Sequence, residues 1–288
     1  MSADRITASM LYNLIQCPHR VTMDLFGNLD DKDPINPFIQ LLWERGNSFE
    51  QEVIEKLQIP FTNLKACSNR EKERLTLEAM TRGDHLIYGG RISTNDLLGE
   101  PDLLRKEAAG YVAGDIKSGA AEEEFSESEA GRPKKHYGVQ LALYTDILEK
   151  IGHSAGPRPF VWDIRGEEVV YELKEPRSSR SAESIQDIYH FSLERVRRIV
   201  TRSEKTLPAY SARCKLCHWR TACIKYLEKS DDLTLIPELG REKRDVMLDH
   251  IKNISILSKI DVQRFSKGSK TIFPRIGPKK LAQFHERA

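Results

Sequence analysis

The sequence predicts an α/β fold with a small helical domain at its C-terminal end. Helical periodicity comes first, then short apolar stretches broken by Gly, Asn and Asp, then a helix, a hairpin and a long helix. Composition shifts around Lys229 to Asp232, which sets the expected domains at 1–229 and 230–288. Apolar residues make up 39% and charged residues 31% of the 288-residue chain, an ordinary balance for a packed core and too apolar for disorder.

"ITASMLYNLIQC" reads as a short helix ending near Cys17, because Pro18 cannot extend a helical interior. In "FIQLLWERGNSFEQEVIEKL", Leu42, Gly46, Phe49, Val53 and Leu57 recur at spacings of three and four, so a second helix is expected there. A third covers "EKERLTLEAM". "HLIYGGRIS", "DLLGEPDLLRK" and "GYVAGDIKS" are three expected strands, and "GAAEEEFSESEAGRPKK" is a polar loop. "HYGVQLALYTDILEKIG" is an amphipathic helix stopped by Gly152. "PFVWDIRGEEVVYEL" is a hairpin turning at Arg165-Gly166, and "SAESIQDIYHFSLERVRRIVTR" is a long helix. No apolar run approaches the roughly eighteen residues of a membrane helix, and the N-terminus lacks a signal-peptide layout. A cytoplasmic protein with no membrane partner is expected.

Two carboxylates anchor the chemistry. Asp102 follows Pro101 in "GEPDLL", and Asp115 stands two residues before Lys117 in "GDIKSG". Residues two apart on a strand share a face, so Asp115 and Lys117 project together, and the reversal "RKEAAG" can bring Asp102 beside them. Two hard oxygen ligands beside a cation suit Mg²⁺ or Mn²⁺. Gln140 and Tyr144, at i and i+4, share a helical face after that strand. They either hold a phosphate or nucleotide, or serve as a cap and a core residue.

Five cysteines in a reducing compartment argue for metal or catalytic use over disulfides. Cys214, Cys217 and Cys223 lie close together in "CKLCHWRTAC", and Cys17 is far upstream; four thiolates suit zinc or iron–sulfur. Cys67 is expected to be a free structural thiol. His218 is either a competing ligand or half of a surface pair with Trp219.

The ordered set "GEPDLL", "GDIKSG" and "QLALY", flanked by Cys17 and the cysteine trio, resembles the PD-(D/E)XK nuclease superfamily. More narrowly it is similar to the RecB-like branch that carries an iron–sulfur cluster. That branch includes the AddB nuclease domain, CRISPR-associated RecB-like exonucleases, and RecB-like nucleases with a helix–hairpin–helix region. The resemblance spans about residues 6 to 226. It implies a restriction-endonuclease-like core, with a mixed central sheet flanked by helices and an iron–sulfur clasp. It implies that Asp102, Asp115 and the Ile116 carbonyl hold the divalent ion, that Lys117 is the catalytic lysine, and that Gln140 and Tyr144 fill a "QxxxY" element. It further implies a 4Fe–4S cluster on Cys17, Cys214, Cys217 and Cys223. Members of the branch usually place a metal-binding His in the helix after "RG"; here Phe49 stands there. Glu50 is about a hundred degrees away around the helix, a poor substitute. The implied activity is DNA hydrolysis at single strands or ends, in repair or defence. The alternative is a nuclease fold kept as a DNA-binding scaffold. No "GxxxxGK(S/T)" is present, so any helicase, repair or CRISPR partner is a separate chain.

From Val262 to the end there are seven Lys or Arg against one acid, which suits an anionic partner or a solvated face. "LIPELGREK" and "IFPRIGPKK" share an order and are similar to paired helix–hairpin–helix units. Gly277, Lys279 and Lys280 are the expected phosphate contacts. In the first unit Gly240, Arg241 and Lys243 are present, but Glu238 would repel phosphate. A small packed helical domain explains the same pattern. RecB-like nucleases with a helix–hairpin–helix region often continue into a further nuclease-like region, so that resemblance implies a chain that is part of a longer protein.

Overall fold

The computed structural model describes residues 5–123, 131–178 and 181–288. The elements begin with β1 (Ile6–Thr7), α1 (Ala8–Gln16), α2 (Pro18–Phe26), α3 (Pro37–Glu55), β2 (Thr62–Asn63) and α4 (Asn69–Arg82). A run of strands follows: β3 (Leu86–Tyr88), β4 (Ile92–Thr94), β5 (Leu97–Gly99), β6 (Leu103–Glu107), β7 (Gly110–Ile116), β8 (Glu122–Glu123) and β9 (Arg132–Pro133). Then come α5 (Lys135–Lys150), β10 (Phe160–Trp162), β11 (Glu168–Val170) and α6 (Ile185–Val200). The last helices are α7 (Arg220–Lys229), α8 (Gly240–Met247), α9 (Ile254–Leu257) and α10 (Pro278–Glu286). Residues 124–130 of the expected polar loop lie outside the described residues. Among the described residues no helix is long and apolar enough to cross a membrane.

The chain forms two compact units, one made of the residues up to Val21 with Pro37–Lys205, the other of Thr22–Asn36 with Thr206–Ala288. The first is α/β. Its central sheet has the order β11-β10-β7-β6-β3-β2 and is mixed. β7 runs parallel to β10, while β6 is antiparallel to both β7 and β3. On one face Leu86, Tyr88, Leu103, Val112, Ile116 and Phe160 alternate inward and meet Phe49, Val53, Ile54 and Leu57 of α3 and the segment after it. The intervening Ile87, Leu104, Ala113 and Val161 are equally buried, and α5 packs on β7, flanked by α1 and α6.

The three expected strands become five. Gly89 has φ +68° and a Cβ there would approach the Lys65 backbone to 2.9 Å, so the chain turns out of the central sheet at a place only glycine fits. Pro101 ends this excursion, because proline has no N–H for a ladder. Between them, β4 and β5 form a separate sheet with β1, in the order β1-β5-β4. The long helix likewise begins later than expected: Ser184 caps it, with its amide and hydroxyl donating to Asp187 at 2.9 and 2.7 Å.

The second unit is helical, with one core built from Leu233, Ile236, Leu239, Met247, Phe273, Ile276, Leu281, Phe284 and their neighbours. The expected boundary near Lys229 falls inside it, since it also holds α7, the cysteine trio and residues 22–36. The tie is Asp24, whose Oδ1 accepts from Trp219 Nε1 at 2.8 Å and lies 2.6 Å from His218 Nε2. The expected surface pair is therefore corrected: Trp219 is fully buried. The two echoes share a turn. Glu238 and Arg275 both adopt the left-handed conformation (φ 67° and 64°), and Leu239 and Ile276 each donate back to the residue three earlier at 3.2 Å. Gly240 opens α8 and Gly277 caps α10, as the pattern predicts.

Candidate active site

The acids meet because two strands are zipped together. β6 and β7 pair antiparallel with Leu103 opposite Gly114, so one further step sets Asp102 against Asp115. Asp102 Oδ2 accepts the Ile116 amide at 2.8 Å. The Lys117 amide donates to the Trp162 carbonyl at 2.9 Å, which continues the parallel pairing of β7 with β10. Lys117 Nζ then lies 2.9 Å from Asp115 Oδ2 and 3.8 Å from Asp102 Oδ2. The loop leaving the strand is fixed at Ala121. Its amide donates to the buried Asp163 carboxylate at 3.2 Å, and its carbonyl accepts the Tyr171 hydroxyl at 2.6 Å.

Asp102, Ile116 and Lys117 border an open cavity of about 430 Å³, whose walls also include Trp43, Gly46, Glu50 and Tyr137, while Asp115 is buried behind them. Glu50 corrects the expectation from helical geometry. Phe49 is half-buried and packs against the sheet core, but Glu50 faces the cavity. Its Oε1 accepts from Tyr88 Oη at 2.9 Å and from Lys65 Nζ at 2.5 Å. Sequence reasoning also missed Tyr137, which lies beside Lys117, Nζ being 5.8 Å from its ring centre.

Burial pushes the Asp102 carboxyl up to about 7. Lys117 and the Ile116 amide pull the other way, while Asp115 and Glu50 add repulsion. Burial also works against the Lys117 charge, yet Asp115 and Asp102 outweigh it and hold the ammonium above its ordinary value. With no ion between the two acids, Lys117 is held as a cation. Tyr137 and Tyr144 are both raised by burial.

Gln140 and Tyr144 lie off the cavity walls. Gln140 is half-buried, and Tyr144 is buried under Gly99, its hydroxyl 3.5 Å from the Glu100 carbonyl. Asp115 is 1% exposed, and its Oδ2 has the Lys117 charge nearby but no aligned hydrogen bond. Two paired strands thus bring Asp102 from one and Asp115 and Lys117 from the other to one point at the end of a mixed sheet. The family model of the PD-(D/E)XK nuclease superfamily matches residues 37–224. The chain belongs to the PD-(D/E)XK nuclease superfamily. No curated protein matches it.

Members of the PD-(D/E)XK superfamily use divalent metal ions. The underbonded, buried Asp115 oxygen beside Asp102 fits such an ion, since Mg²⁺ is ordinarily held by one or two carboxylates and water. Among the described residues no three His, Cys, Asp or Glu side chains form a group that could hold a metal. The fit therefore rests on two carboxylates, carbonyl and water rather than a protein cage. Cys17 belongs to the first unit and the cysteine trio to the second. Cys17, Cys214, Cys217 and Cys223 are each half-buried, and Cys214 Sγ turns to the Ala209 carbonyl at 3.7 Å. Cys67 is free and half-buried. In the second unit, Lys280 pairs with Glu238 across the two hairpins, whereas Lys279 is exposed.

Proposed function

We propose that the protein is a metal-dependent deoxyribonuclease whose reaction site is Asp102, Asp115, Lys117 and the Ile116 carbonyl. The supporting observation is the Lys117 ammonium within 4 Å of both carboxylates, on the floor of a cavity open to a phosphate. Asp102, Asp115 and the Ile116 carbonyl would hold Mg²⁺ or Mn²⁺, which when bound activates water and offsets charge growing on the phosphate. Lys117, a held cation, donates N–H to the attacking water or to a phosphate oxygen. Glu50 adds a third acid, oriented by Tyr88 and Lys65. In the hydrolysis the attacking water gives up a proton to solvent as its oxygen bonds to phosphorus, the bond to the leaving sugar oxygen breaks, and that oxygen takes up a proton from solvent.

The test is digestion of linear and circular DNA with Mg²⁺, Mn²⁺ or EDTA. Asp115→Ala and Lys117→Ala should each lose on the order of 100-fold or more in rate, and EDTA should stop cutting. Equal residual cutting by wild type and both variants removes the assignment. Cutting confined to linear DNA supports the exonuclease expected from the resemblance. Service to a helicase, repair or CRISPR partner rests on that resemblance alone, and a cytoplasmic location rests on the sequence's short apolar runs and polar N-terminus. A second reading, a DNA-binding scaffold, draws on Phe49 lying in the core and on Glu50 being held by Lys65 and Tyr88; DNA binding without cutting would select it. The 4Fe–4S cluster enters no step. It stands on cysteine spacing and resemblance, and a colourless, iron-free protein with no absorbance near ~400 nm would discard it.

A further inference from the structure

The proposed reaction uses the floor of the cavity and leaves one wall without a purpose. Over its second half α3 keeps one face to the core, where Phe49, Val53 and Ile54 pack on the sheet. Helical geometry puts Leu42, Trp43 and Gly46 on that same face, Trp43 two turns before Glu50. Yet Leu42 is 41% and Trp43 57% exposed, and both border the cavity. A Cβ on Gly46 would meet only Ser118 Oγ at 3.7 Å, so the wall has room in front of it. An indole on a core-facing stripe is thus left bare beside the carboxylates and Lys117.

We propose that Trp43 is a stacking platform for an unpaired base next to the scissile phosphate, which makes single-stranded DNA or frayed ends the substrate class of this site. The inference rests on the nuclease reading for its phosphate. Trp43 and Lys117 wall the same cavity of about 430 Å³, within the roughly 300–1,000 Å³ of small-ligand clefts, so a nucleotide can reach both. A base inside a duplex has both faces covered by its neighbours, whereas a single strand offers a free face to an aromatic ring. Lys117, with the ion that Asp102 and Asp115 would hold, suits a sugar–phosphate, whereas an apolar helix in the cavity would take Glu50, Asp102 and Lys117 out of water with nothing polar to meet them.

Binding is the primary test, measured with calcium in place of magnesium and a labelled single strand of about 12 nucleotides. Trp43→Ala should weaken single-strand affinity on the order of 10-fold, and Trp43→Phe by less than about 3-fold. Affinity for a blunt duplex of equal length should change by less than about 2-fold. An abasic site should weaken wild type but not Trp43→Ala. Melting curves check that each variant is folded. Unchanged single-strand affinity, or equal losses on single strand and duplex, overturns the platform. A wild-type dimer that Trp43→Ala splits without altering DNA affinity gives the wall to a second copy and also overturns it. Cutting by wild type in Mg²⁺ is scored separately. Binding lost in Trp43→Ala while wild type never cuts removes the nuclease reading and leaves the platform. Cutting by wild type with unchanged Trp43→Ala binding does the reverse.

Discussion

The Asp102 carboxyl lies near two other acids, Asp115 and Glu50, with the Lys117 ammonium closest to balance them. Its burial raises its proton affinity from an ordinary 3.8 to about 7. The folded chain therefore keeps a proton that the unfolded chain releases near 3.8. It follows that metal-free protein loses stability as pH climbs through that window, and the loss is complete above about 7. Asparagine can accept the Ile116 amide as Asp102 does but carries no charge. Asp102→Asn in EDTA should melt close to wild type at the acid end of the window, and a few degrees higher near pH ~8, while cutting with Mg²⁺ falls on the order of 100-fold. Equal melting temperatures at the alkaline end would show that the acid cluster is not strained.

Helices α3 and α5 are legible because each repeats an apolar period over many residues, and the short hairpin β10–β11 because Gly166, at φ +74°, marks its turn. The strands were half legible. Apolar runs marked them, but Gly89 and Pro101 moved β4 and β5 into a second sheet, and a run of apolar residues does not say which sheet receives it. Asp102, Asp115 and Lys117 could be found because strand pairing and a period of two are local rules. A stripe centred on Phe49 hides Glu50. Its signal was present: Val53, Ile54 and Leu57 follow it at three, four and seven, so an acid sits on the apolar stripe. Tyr137 had a similar sign, two turns before Tyr144 on α5. Which residues of such a face meet solvent depends on where the sheet ends, and that is set by distant strands. The cysteines mark the same limit, for spacing can be read while convergence cannot.

Net charge over the whole chain is only +2, and the basic tail hides further compensation within the second unit. Glu238 faces Lys280 and lies 3.7 Å from Arg287, and Arg275 lies 3.4 Å from Glu242, so each echo of the repeat lends an opposite charge to the other. Lys279 is exposed and, among the described residues, unpaired. If the hairpins bind phosphate, Glu238 holds two of their cations back. Glu238→Gln should then tighten DNA binding several-fold at low salt, and Lys279→Ala should lower the salt slope of log affinity by about 1. Both effects should fade at high salt, where exposed charges are screened. A packing domain behaves differently: loss of exposed ion pairs shifts stability by at most about 1 kcal/mol and leaves DNA affinity where it was. Unaltered affinity and slope in both variants, with a slightly lower melting temperature for Glu238→Gln, would therefore assign the unit to packing and take Gly277, Lys279 and Lys280 out of DNA recognition.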